Sequence, residues 1–352
     1  MGTQPDVEVE IVTTVDTLPP EMWAAENLRP QYSRRRLRDL EADRRFVTRY
    51  VMASQGSRVL AILPIYDPHL DRWPDPAYDP SRYVANSSSS PRSWTLAGGR
   101  ADRASAMLVS PQLSTSLSMN VARAIIVAAC GHVHSNGRCL AILHFGADST
   151  PLYESVRDLP AAKAILISNR YVLDDIGRDL ESYLGLLPQR HRGIVRRDLI
   201  AVASELCWAE PVGWGGIIEE ASPLVWEIHK RYGQPDHPLL IADRLQRWET
   251  DPDCECIAFV IRRNGRLLGV TFGWIHGQVL ELYEIGLAEE LGPLRRLAYL
   301  ELMFYAPLRF GWAHSMRSLD LAFESSRPKV LRGARLIPTY AAVLPDTAKY
   351  EA

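Results

Sequence analysis

The sequence predicts an α/β (α+β) protein, because segments with helical periodicity interleave with segments that have the composition of strands. The strand signal is strongest in residues 256–287. Two β-rich runs there flank Asn264 and Gly265, the preferred residue pair of a two-residue hairpin turn, and a third strand follows. The helix signal is strongest in residues 180–206, where apolar residues recur at steps of three, four or seven and Pro188 divides the stretch in two.

The first half of the chain alternates between the same two kinds of element. Helical spacing predicts helices over residues 34–52 and 116–133. Apolar or alternating runs predict strands at residues 8–14, 59–66, 93–98, 139–145 and 161–169.

One long segment, residues 67–92, has no periodicity, many prolines and a run of serines. Loops longer than about 12 to 15 residues are usually functional or disordered. We expect this loop either to place Trp73, Tyr78 and Tyr83 over a ligand or to be a mobile insertion.

The second half continues with two helical patterns in residues 218–250 and, after the hairpin, with a helix that Gly292 and Pro293 open. A final strand is expected at residues 318–323. We divide the sequence near Asn169 into two domains, residues 1–169 and residues 170–352.

Composition restricts the classes of function. The chain has 352 residues, 47% of them apolar and 23% charged, which is typical of soluble globular proteins. Forty basic and 42 acidic residues give a formal charge of −2, so a polyanion must be held by a local patch. The five cysteines form no regular framework, and the start lacks the pattern of a signal peptide, so we expect a cytoplasmic protein.

Common motifs of covalent and metal catalysis do not occur in the sequence. There is no GxSxG nucleophile elbow and no HExxH zinc motif. Cys254 and Cys256 lack a second pair at zinc spacing, and the spacing of cysteine and histidine in residues 130–139 matches no common structural zinc site. We therefore expect neither a metal nor a covalent nucleophile.

Three stretches of the second half carry a resemblance to a known family. Residues 179–199 lead through acidic and aromatic residues to a Tyr-Leu pair and an arginine-rich helix, and residues 259–284 form the hairpin and a strand with a Leu-Tyr pair. Residues 304–340 contain Phe323-Glu324, Lys329, Arg332-Gly333 and Pro338 in that order. Over roughly residues 178–345 the chain resembles the Fem-like branch of the GNAT acyltransferase superfamily, including its peptidoglycan biosynthesis or recognition proteins.

The resemblance implies tandem GNAT folds, each with a mixed, largely antiparallel central sheet flanked by helices. It implies a degenerate first domain and a second domain that transfers an acyl group. The donor in such proteins is aminoacyl-tRNA, and the acceptor is the amine of a cell-wall precursor or of a small metabolite in natural product biosynthesis. Aminoacyl-tRNA is then a co-substrate, and no cofactor is expected.

One departure from the family concerns the segment before the lysine. The family has a longer, glycine-rich loop there with a histidine beside the lysine, whereas here only residues 325–328 intervene. The shortened loop leaves open the interpretation that the chain is a GNAT-like binding protein without catalytic activity.

The resemblance also implies roles for individual residues. Lys329 matches the family's lysine and would place a cation near the developing oxyanion or the donor's phosphate. Glu324, Arg332 and Gly333 would lie beside the substrate. On the central strand we take Glu284 as the candidate general base and Tyr283 as the candidate acid or substrate contact, and as neighbours in a strand they should face opposite sides of the sheet.

Two arginine-rich stretches are candidates for binding tRNA or another phosphate. If they face one cleft they form a polyanion site, and if they face apart they are solvated surfaces. Arg34, Arg35, Arg36 and Arg38 pose the same alternative in the first domain. The residues of the two stretches, besides Lys329 and Arg332, are Arg190, Arg192, Arg196, Arg197, Arg327 and Arg335.

The alternative donor is acyl-CoA, which ordinary GNAT domains bind through a glycine-rich loop at a helix N-terminus. The corresponding residues here include one glycine, Gly292, a proline at 293 and two carboxylates, Glu289 and Glu290, where phosphates would lie. Arg295 and Arg296 would compensate in part. The sequence therefore favours aminoacyl-tRNA and keeps acyl-CoA as the second candidate.

Overall fold

The computed structural model describes residues 7–23, 29–70, 73–83, 93–159, 162–205, 208–234 and 236–344. The chain divides into two compact units. The first unit comprises Met1–Ser168 and Ile337–Ala352, and the second comprises Asn169–Leu336.

Each unit combines strands and helices. In chain order, the first unit contains β1 Glu8–Val12, α1 Arg34–Glu41, β2 Phe46–Gln55, β3 Arg58–Pro68, β4 Trp94–Ala97, β5 Leu108–Val109, α2 Thr115–Ser135, β6 Cys139–Gly146 and α3 Thr150–Arg157. Strand β7, Lys163–Leu173, leads from the first unit into the second. The second unit continues with α4 Leu180–Leu186, α5 Gln189–Glu205, β8 Glu210–Val212, α6 Ile218–Arg231, α7 Pro238–Glu249, β9 Glu255–Arg263, β10 Arg266–His276 and β11 Val279–Leu287. It closes with α8 Arg295–Leu300, a π-helical turn Glu301–Tyr305, α9 Ala306–Ala313, β12 Ser318–Phe323 and α10 Ser326–Val330, and β13 Arg335–Val343 leads back to the first unit.

The two units repeat one strand order. In the first it is β1-β2-β3-β4-β6-β13, and in the second it is β8-β9-β10-β11-β12-β7. Among the described strands of each order, neighbours are antiparallel except for one parallel pair, β4 with β6 and β11 with β12. The predicted class, two domains with mixed and largely antiparallel sheets flanked by helices, is confirmed.

The last strand of each order comes from a distant part of the sequence. We assigned all residues after 169 to the second domain, but the described part of β13 from Ile337 onward belongs to the first unit. It does so because it pairs with β6, with Thr339 opposite Gly146 and Tyr340 opposite Phe145. A strand that closes a sheet from so far along the chain leaves no local pattern in the sequence.

The predicted helix over residues 34–52 is wrong beyond Glu41. Helix α1 begins after Ser33, whose hydroxyl accepts the N–H of Arg36, and a turn at Asp43 follows the helix. Residues 46–55 form β2, which pairs with β1 on one side and β3 on the other. The β-branched and aromatic residues of this segment fit a sheet, and pairing on both edges outweighs their coincidental helical spacing.

The predicted hairpin is confirmed. Strands β9 and β10 are joined at Asn264 and Gly265, whose φ angles of 52° and 80° are both in the left-handed region. Two consecutive residues with positive φ match the right-handed twist of the flanking strands, and asparagine and glycine tolerate this conformation best.

The sheet of the second unit is covered on both faces. Phe259 and Ile261 pack in a core with residues of α4, α5 and the helices from α8 to α9. Ala258 and Val260, which alternate with them along β9, pack in a second core with residues of α6 and α7. The sequence of β9 is therefore apolar at successive positions, as expected of a strand buried on both sides.

Helix α2 belongs to the core of the first unit. By length and composition alone this helix, Thr115–Ser135, would be able to cross a membrane. Its apolar side is buried in the unit's own core, where Val121, Ile125 and Ala129 are inaccessible to solvent. Burial in that core accounts for the apolar composition of this helix.

Replacing Gly286 with alanine tests how closely α6 packs on β11. A Cβ atom at this position would lie 2.8 Å from both the Leu224 Cβ and the Val225 backbone nitrogen, so the helix would have to move. We expect the free energy of unfolding, measured with urea, to fall by about 1–3 kcal/mol. Gly193→Ala, in an exposed position of α5 with nothing within 4 Å of the added atom, should be neutral or slightly stabilising. Equal effects of the two substitutions would contradict this packing.

Candidate functional site

The parallel strands β11 and β12 part midway along the sheet of the second unit. They pair from Val279 with Ser318 to Glu281 with Asp320, and the described residues show no pair between them beyond that point. Strand β11 continues to Leu287 against β10 alone. The two strands therefore separate beyond Glu281 and Asp320, and a ligand can enter the opening between them.

The backbone at the end of β12 is strained. Ala322, Glu324 and Ser325 have φ angles of 56°, 59° and 51°, which residues other than glycine seldom adopt. The Asp320 Oδ1 atom accepts the N–H of Ala322 at 3.0 Å and supports this turn. Strained segments of this kind persist where their surroundings fix them, and they concentrate at ligand and active sites.

Lys329 lies next to this strained segment. It is 1% exposed, its Nζ donates to the backbone carbonyl of Phe323 at 2.5 Å, and it lies 5.3 Å from the centroid of the Tyr171 ring. Burial lowers the pKa of Lys329 to about 7, although the carboxylates of Asp320 and Glu324 act in the opposite direction. At neutral pH the amine is therefore divided between its charged and neutral forms.

A buried ion pair joins β12 to the strand beside it. Arg170 Nη1 of β7 lies 3.1 Å from Asp320 Oδ2, and both side chains are less than a tenth exposed. Strand pairing is regular at Asp320, opposite Val172, but shifts before Phe323 pairs with Arg170. The ion pair thus lies where the pairing between β12 and β7 changes register, close to Lys329.

Tyr283 and Glu284 face the same side of the sheet, contrary to the prediction that they face opposite sides. Phe272 of β10 is opposite Glu284, and Gly273 is opposite Leu282, so Tyr283 is the extra residue of a β-bulge. A bulge interrupts the alternation of side chains along a strand. The Tyr283 ring contacts the Trp248 ring of α7, and the Glu284 carboxylate also binds α6 and α7.

Glu284 is part of a closed cluster of charges. Its carboxylate accepts from His229 Nε2 at 2.9 Å and from Arg244 Nη2 at 3.0 Å, and His229 Nδ1 and Arg244 also bind Asp236. Burial alone would raise the pKa of Glu284, but the bonds from His229 and Arg244 lower it. Burial lowers the pKa of His229, yet the two carboxylates raise it to about 9. Because Glu284 is a carboxylate held by two cations, it is a poor proton acceptor.

Tyr283 lies in an aromatic cluster. Its ring centroid is 4.6 Å from that of Trp274 and 6.2 Å from that of Trp248, and Trp274 also lies 4.6 Å from Trp248. Tyr283 itself is partly exposed, whereas the two tryptophans are buried. The phenol therefore remains a candidate for contact with a substrate.

Arg332 lies in the core of the second unit, and Gly333 next to it is exposed. The Arg332 guanidinium is 2% exposed, pairs with Asp198, and donates to the Tyr305 hydroxyl at 3.1 Å and the Pro328 carbonyl at 2.8 Å. Gly333 has a φ of 86°. The contacts of Arg332 fix the chain after α10, so Arg332 supports the site and is left out of the proposed substrate contacts. Gly333 is left out as well, because it forms the left-handed turn next to Leu187.

The structure brings the two arginine-rich stretches side by side. The Tyr183 hydroxyl of α4 donates to the Arg332 carbonyl at 2.7 Å, and Asp198 of α5 binds the Arg332 side chain. Arg296 of α8 joins the same region, 3.6 Å from Asp198 Oδ1 and 74% exposed. The two stretches therefore share one region of the second unit.

Individual arginines of this region differ in availability. Arg192 donates to the carbonyls of Leu187 and Gly185 at the end of α4, Arg196 lies 3.2 Å from Glu181, and Arg335 binds Asp174 through two bonds.

In the first unit all four candidate arginines are paired with carboxylates of the same unit: Arg34 and Arg38 with Asp16, Arg35 with Asp39 and Arg36 with Asp102.

The available cations are Arg190, Arg197 and Arg327. All three are exposed, and none forms an ion pair with a carboxylate in the described residues. With Arg296 they give this region a positive surface on a chain whose formal charge is −2. We call these four residues the arginine surface.

The segment where a CoA loop would lie carries negative charge. Glu289 and Glu290 occupy the first turn of a 3₁₀ helix, Glu289–Leu294, and pair with Arg231 and Arg266 respectively. Gly292 interrupts this turn with a φ of 47°. Carboxylates at a helix start compete with a bound diphosphate for the same backbone N–H groups.

Sequence reasoning missed the residues that hold the site together. His229, Asp236 and Arg244 gave no signal, because their contacts depend on how α6 and α7 cross β11. The sequence did contain a signal for Asp320, because a charged residue at an inward position of the apolar strand 318–323 requires a buried partner. That partner, Arg170, follows the strand predicted at residues 161–169 by one position.

No family model and no curated protein matches this chain by sequence. Solved structures do resemble it. FemX superposes with a TM-score of 0.60 at 10% identity, covering 97% of this chain and 99% of FemX. A conserved protein of unknown function from Bacteroides thetaiotaomicron gives 0.52 at 9% identity, covering 88% and 90% of the two chains. The C-terminal domain of a protein assigned as lysylphosphatidylglycerol synthetase from Agrobacterium fabrum gives 0.51 at 11% identity, covering 82% of each.

At these identities the likeness shows the fold alone. The chain shares the fold of FemX. The predicted likeness to the Fem-like branch is thereby confirmed at the level of the fold.

Substituting Lys329 with methionine tests the burial of its amine. Because the pKa of Lys329 is about 7 in the folded chain and 10.5 in its ordinary state, the unfolded chain binds an extra proton between these values. Stability of the native protein relative to Lys329→Met should therefore rise with pH through this window, by up to about 1.4 kcal/mol per pH unit. Urea unfolding of both proteins from pH 6 to pH 10 measures the difference.

The control for this experiment is Val330→Met, which adds methionine at the exposed neighbour of Lys329 and keeps the amine. Its stability difference from the native protein should not change across the same window. A difference for Lys329→Met that is flat from pH 7 to pH 10 would contradict the buried, partly neutral amine.

Proposed function

We propose that this protein is an aminoacyltransferase that moves an amino acid from aminoacyl-tRNA to an amine and forms an amide bond. The observation that carries the proposal is the position of Lys329: a buried amine at the strained end of β12, beside the opening between β11 and β12. The Fem-like fold, which extends over nearly the whole chain, supports it.

The chemistry of aminolysis fits this position. An aminoacyl ester is already activated, so the reaction needs an uncharged amine, stabilisation of the tetrahedral oxyanion, and a proton for the departing hydroxyl. Protonated Lys329 supplies the positive charge for the oxyanion and the proton for the leaving oxygen. A pKa of about 7 suits this task, because an acid is most effective when its pKa lies near the working pH.

The acceptor amine is proposed to approach along the β11 side of the opening. Tyr283 of β11 is partly exposed and lies over Trp274, so its hydroxyl is our candidate for substrate contact. Glu284 keeps a positioning role, because its bonds to His229 and Arg244 fix the bulge that carries Tyr283. Glu324, exposed at the strained end of β12, is the candidate carboxylate for binding the incoming ammonium and for taking up its proton, so that the amine attacks uncharged.

The donor is proposed to be tRNA rather than CoA. The arginine surface offers exposed cations beside α5 and α10, as a polyanion requires. The place of the CoA loop instead holds Glu289 and Glu290. An aminoacyl-tRNA donor implies a cytoplasmic location and an acceptor that is a cell-wall precursor or a small metabolite, and it requires no cofactor.

Lys329→Met should lower kcat/KM for aminoacyl transfer by about 10²-fold or more, because the transition state loses its cation and proton donor. Lys329→Arg should retain part of the activity. The ratio of kcat/KM for the native enzyme to kcat/KM for Lys329→Arg should fall as pH rises above about 7, since the native enzyme requires the protonated amine and the ionisation of the acceptor cancels in the ratio. Transfer of a labelled amino acid to the acceptor measures the rates.

Lys230→Met is the matched control for activity, because Lys230 is an exposed lysine that pairs with Glu227 on α6. It should leave transfer unchanged. Native-like activity of Lys329→Met would exclude Lys329 from the reaction.

Charge reversal on the arginine surface tests the donor. Arg197→Glu with Arg327→Glu should weaken binding of charged tRNA at least tenfold, and it should reduce the slope of log K against log salt by about two, because two phosphates are no longer neutralised. Arg263→Glu, a single charge reversal at an exposed position of the hairpin strand β9, should have little effect. Fluorescence titration at two salt concentrations measures both quantities.

The same titration with acetyl-CoA distinguishes the second candidate. Binding of acetyl-CoA that survives these charge reversals, with no binding of tRNA, would replace our proposal by an acyl-CoA-dependent N-acyltransferase.

A further inference from the structure

Two cysteine thiols meet at the start of β9 in the second unit. The Sγ atoms of Cys254 and Cys256 are 3.4 Å apart, which is van der Waals contact between sulfur atoms that share no bond. The thiol of Cys256 also approaches the carbonyl of Trp248, at 3.5 Å. The proposed acyl transfer uses neither thiol.

The backbone at this point permits the two sulfur atoms to approach further. Strand β9 begins at Glu255, so Cys254 lies before the ladder and within a turn, where its N–H binds the Asp251 carbonyl at 3.1 Å. Only Cys256 is fixed by strand pairing, opposite Trp274. Closing the distance to the roughly 2.05 Å of a disulfide therefore needs a shift of the turn and leaves the ladder in place.

We propose that Cys254 and Cys256 form an oxidisable dithiol that a low-molecular-weight disulfide converts into an intramolecular disulfide. This modification site is independent of the acyl-transfer proposal. The disulfide would join two residues whose thiols are already in contact. Once one cysteine carries a mixed disulfide, the other is therefore present at a very high effective concentration to close the bond.

The reaction balances with glutathione disulfide as the oxidant. Cys256, the more exposed of the two residues, attacks as its thiolate, forms a mixed disulfide and releases one glutathione. Cys254 then attacks the Cys256 sulfur, forms the Cys254–Cys256 bond and releases the second glutathione. The two cysteines lose two electrons, the glutathione disulfide gains them, and both thiol protons end on glutathione.

The surroundings control the rate. The hydrogen bond to Cys256, burial, and the carboxylates of Asp251 and Glu281 all raise the pKa of the Cys254 thiol, and His276 lies 3.3 Å from Glu281. Exchange requires a thiolate, so the closing step should be slow at pH 7 and faster at higher pH. We therefore expect the two thiols to form a disulfide during prolonged exposure to an oxidant and not during a brief one.

Peptide mass spectrometry of the folded full-length protein tests the proposal. After incubation with glutathione disulfide at pH 8 and trapping of free thiols, trypsin releases residues 248–262, which contain both cysteines and no other. We expect this peptide to lose two hydrogen atoms, to carry no trapping group and to revert with dithiothreitol. Circular dichroism before and after oxidation verifies that the protein stays folded.

Single substitutions separate the two steps. Cys256→Ser and Cys254→Ser should each block the intramolecular bond, and Cys254→Ser should stop at a stable glutathione adduct on Cys256. Cys130→Ser, a buried cysteine of α2 in the first unit, should oxidise like the native protein. A native peptide that stays fully reduced, or that stops at the glutathione adduct, would overturn the proposal.

Discussion

The buried ion pair between Arg170 and Asp320 is the interaction on which the rest of the site depends. A buried carboxylate is tolerated only with a partner, and Arg170 on β7 supplies it at 3.1 Å. With its carboxylate fixed, Asp320 also receives the Ala322 N–H and so supports the left-handed residues after it. That turn directs the chain into α10 and brings Lys329 back onto the Phe323 carbonyl. Without the pair, neither the strain nor the buried amine would have a reason to persist.

The repeated strand order shows what is specific to the second unit. Strand β6 of the first unit also has a left-handed residue before a phenylalanine, His144 with a φ of 55°, at a shift in register with its last strand. There, however, His144 binds the carbonyl of Ala77 at 2.9 Å and lies beside the Tyr78 ring, and burial lowers its pKa to about 4. The segment of the predicted long loop that the structure describes thus packs over the equivalent position. In the second unit the equivalent position is followed by a short turn and a lysine, which favours that unit for chemistry.

The sequence predicted what is local and missed what is assembled from distant parts. The hairpin at Asn264 and Gly265 could be predicted, because two adjacent residues determine its geometry. The bulge at Tyr283 could not, since it depends on the register between β10 and β11 and not on any residue pattern. Family resemblance singled out Lys329, and the same resemblance gave Arg332 a substrate role. Asp198 and Tyr305, however, hold Arg332 in the core. A motif records which residues are near a site, and only packing separates those that face the substrate from those that support it.

The two sides of the opening between β11 and β12 differ in electrostatics, and this difference determines where a reaction can develop charge. On the β11 side, Glu284 and Asp236 are matched by His229 and Arg244, so the cluster is neutral and its groups are held in their charged forms. A group held in this way resists any change of protonation during a reaction. On the β12 side, burial lowers the pKa of Lys329 to about 7. The carboxylates of Asp320 and Glu324 therefore offset the cost of burying its positive charge only in part. A negative charge that forms beside it would stabilise the protonated amine, and by reciprocity the amine would stabilise that charge. In the proposed reaction the β11 side would therefore orient the acceptor, and the β12 side would stabilise the developing oxyanion.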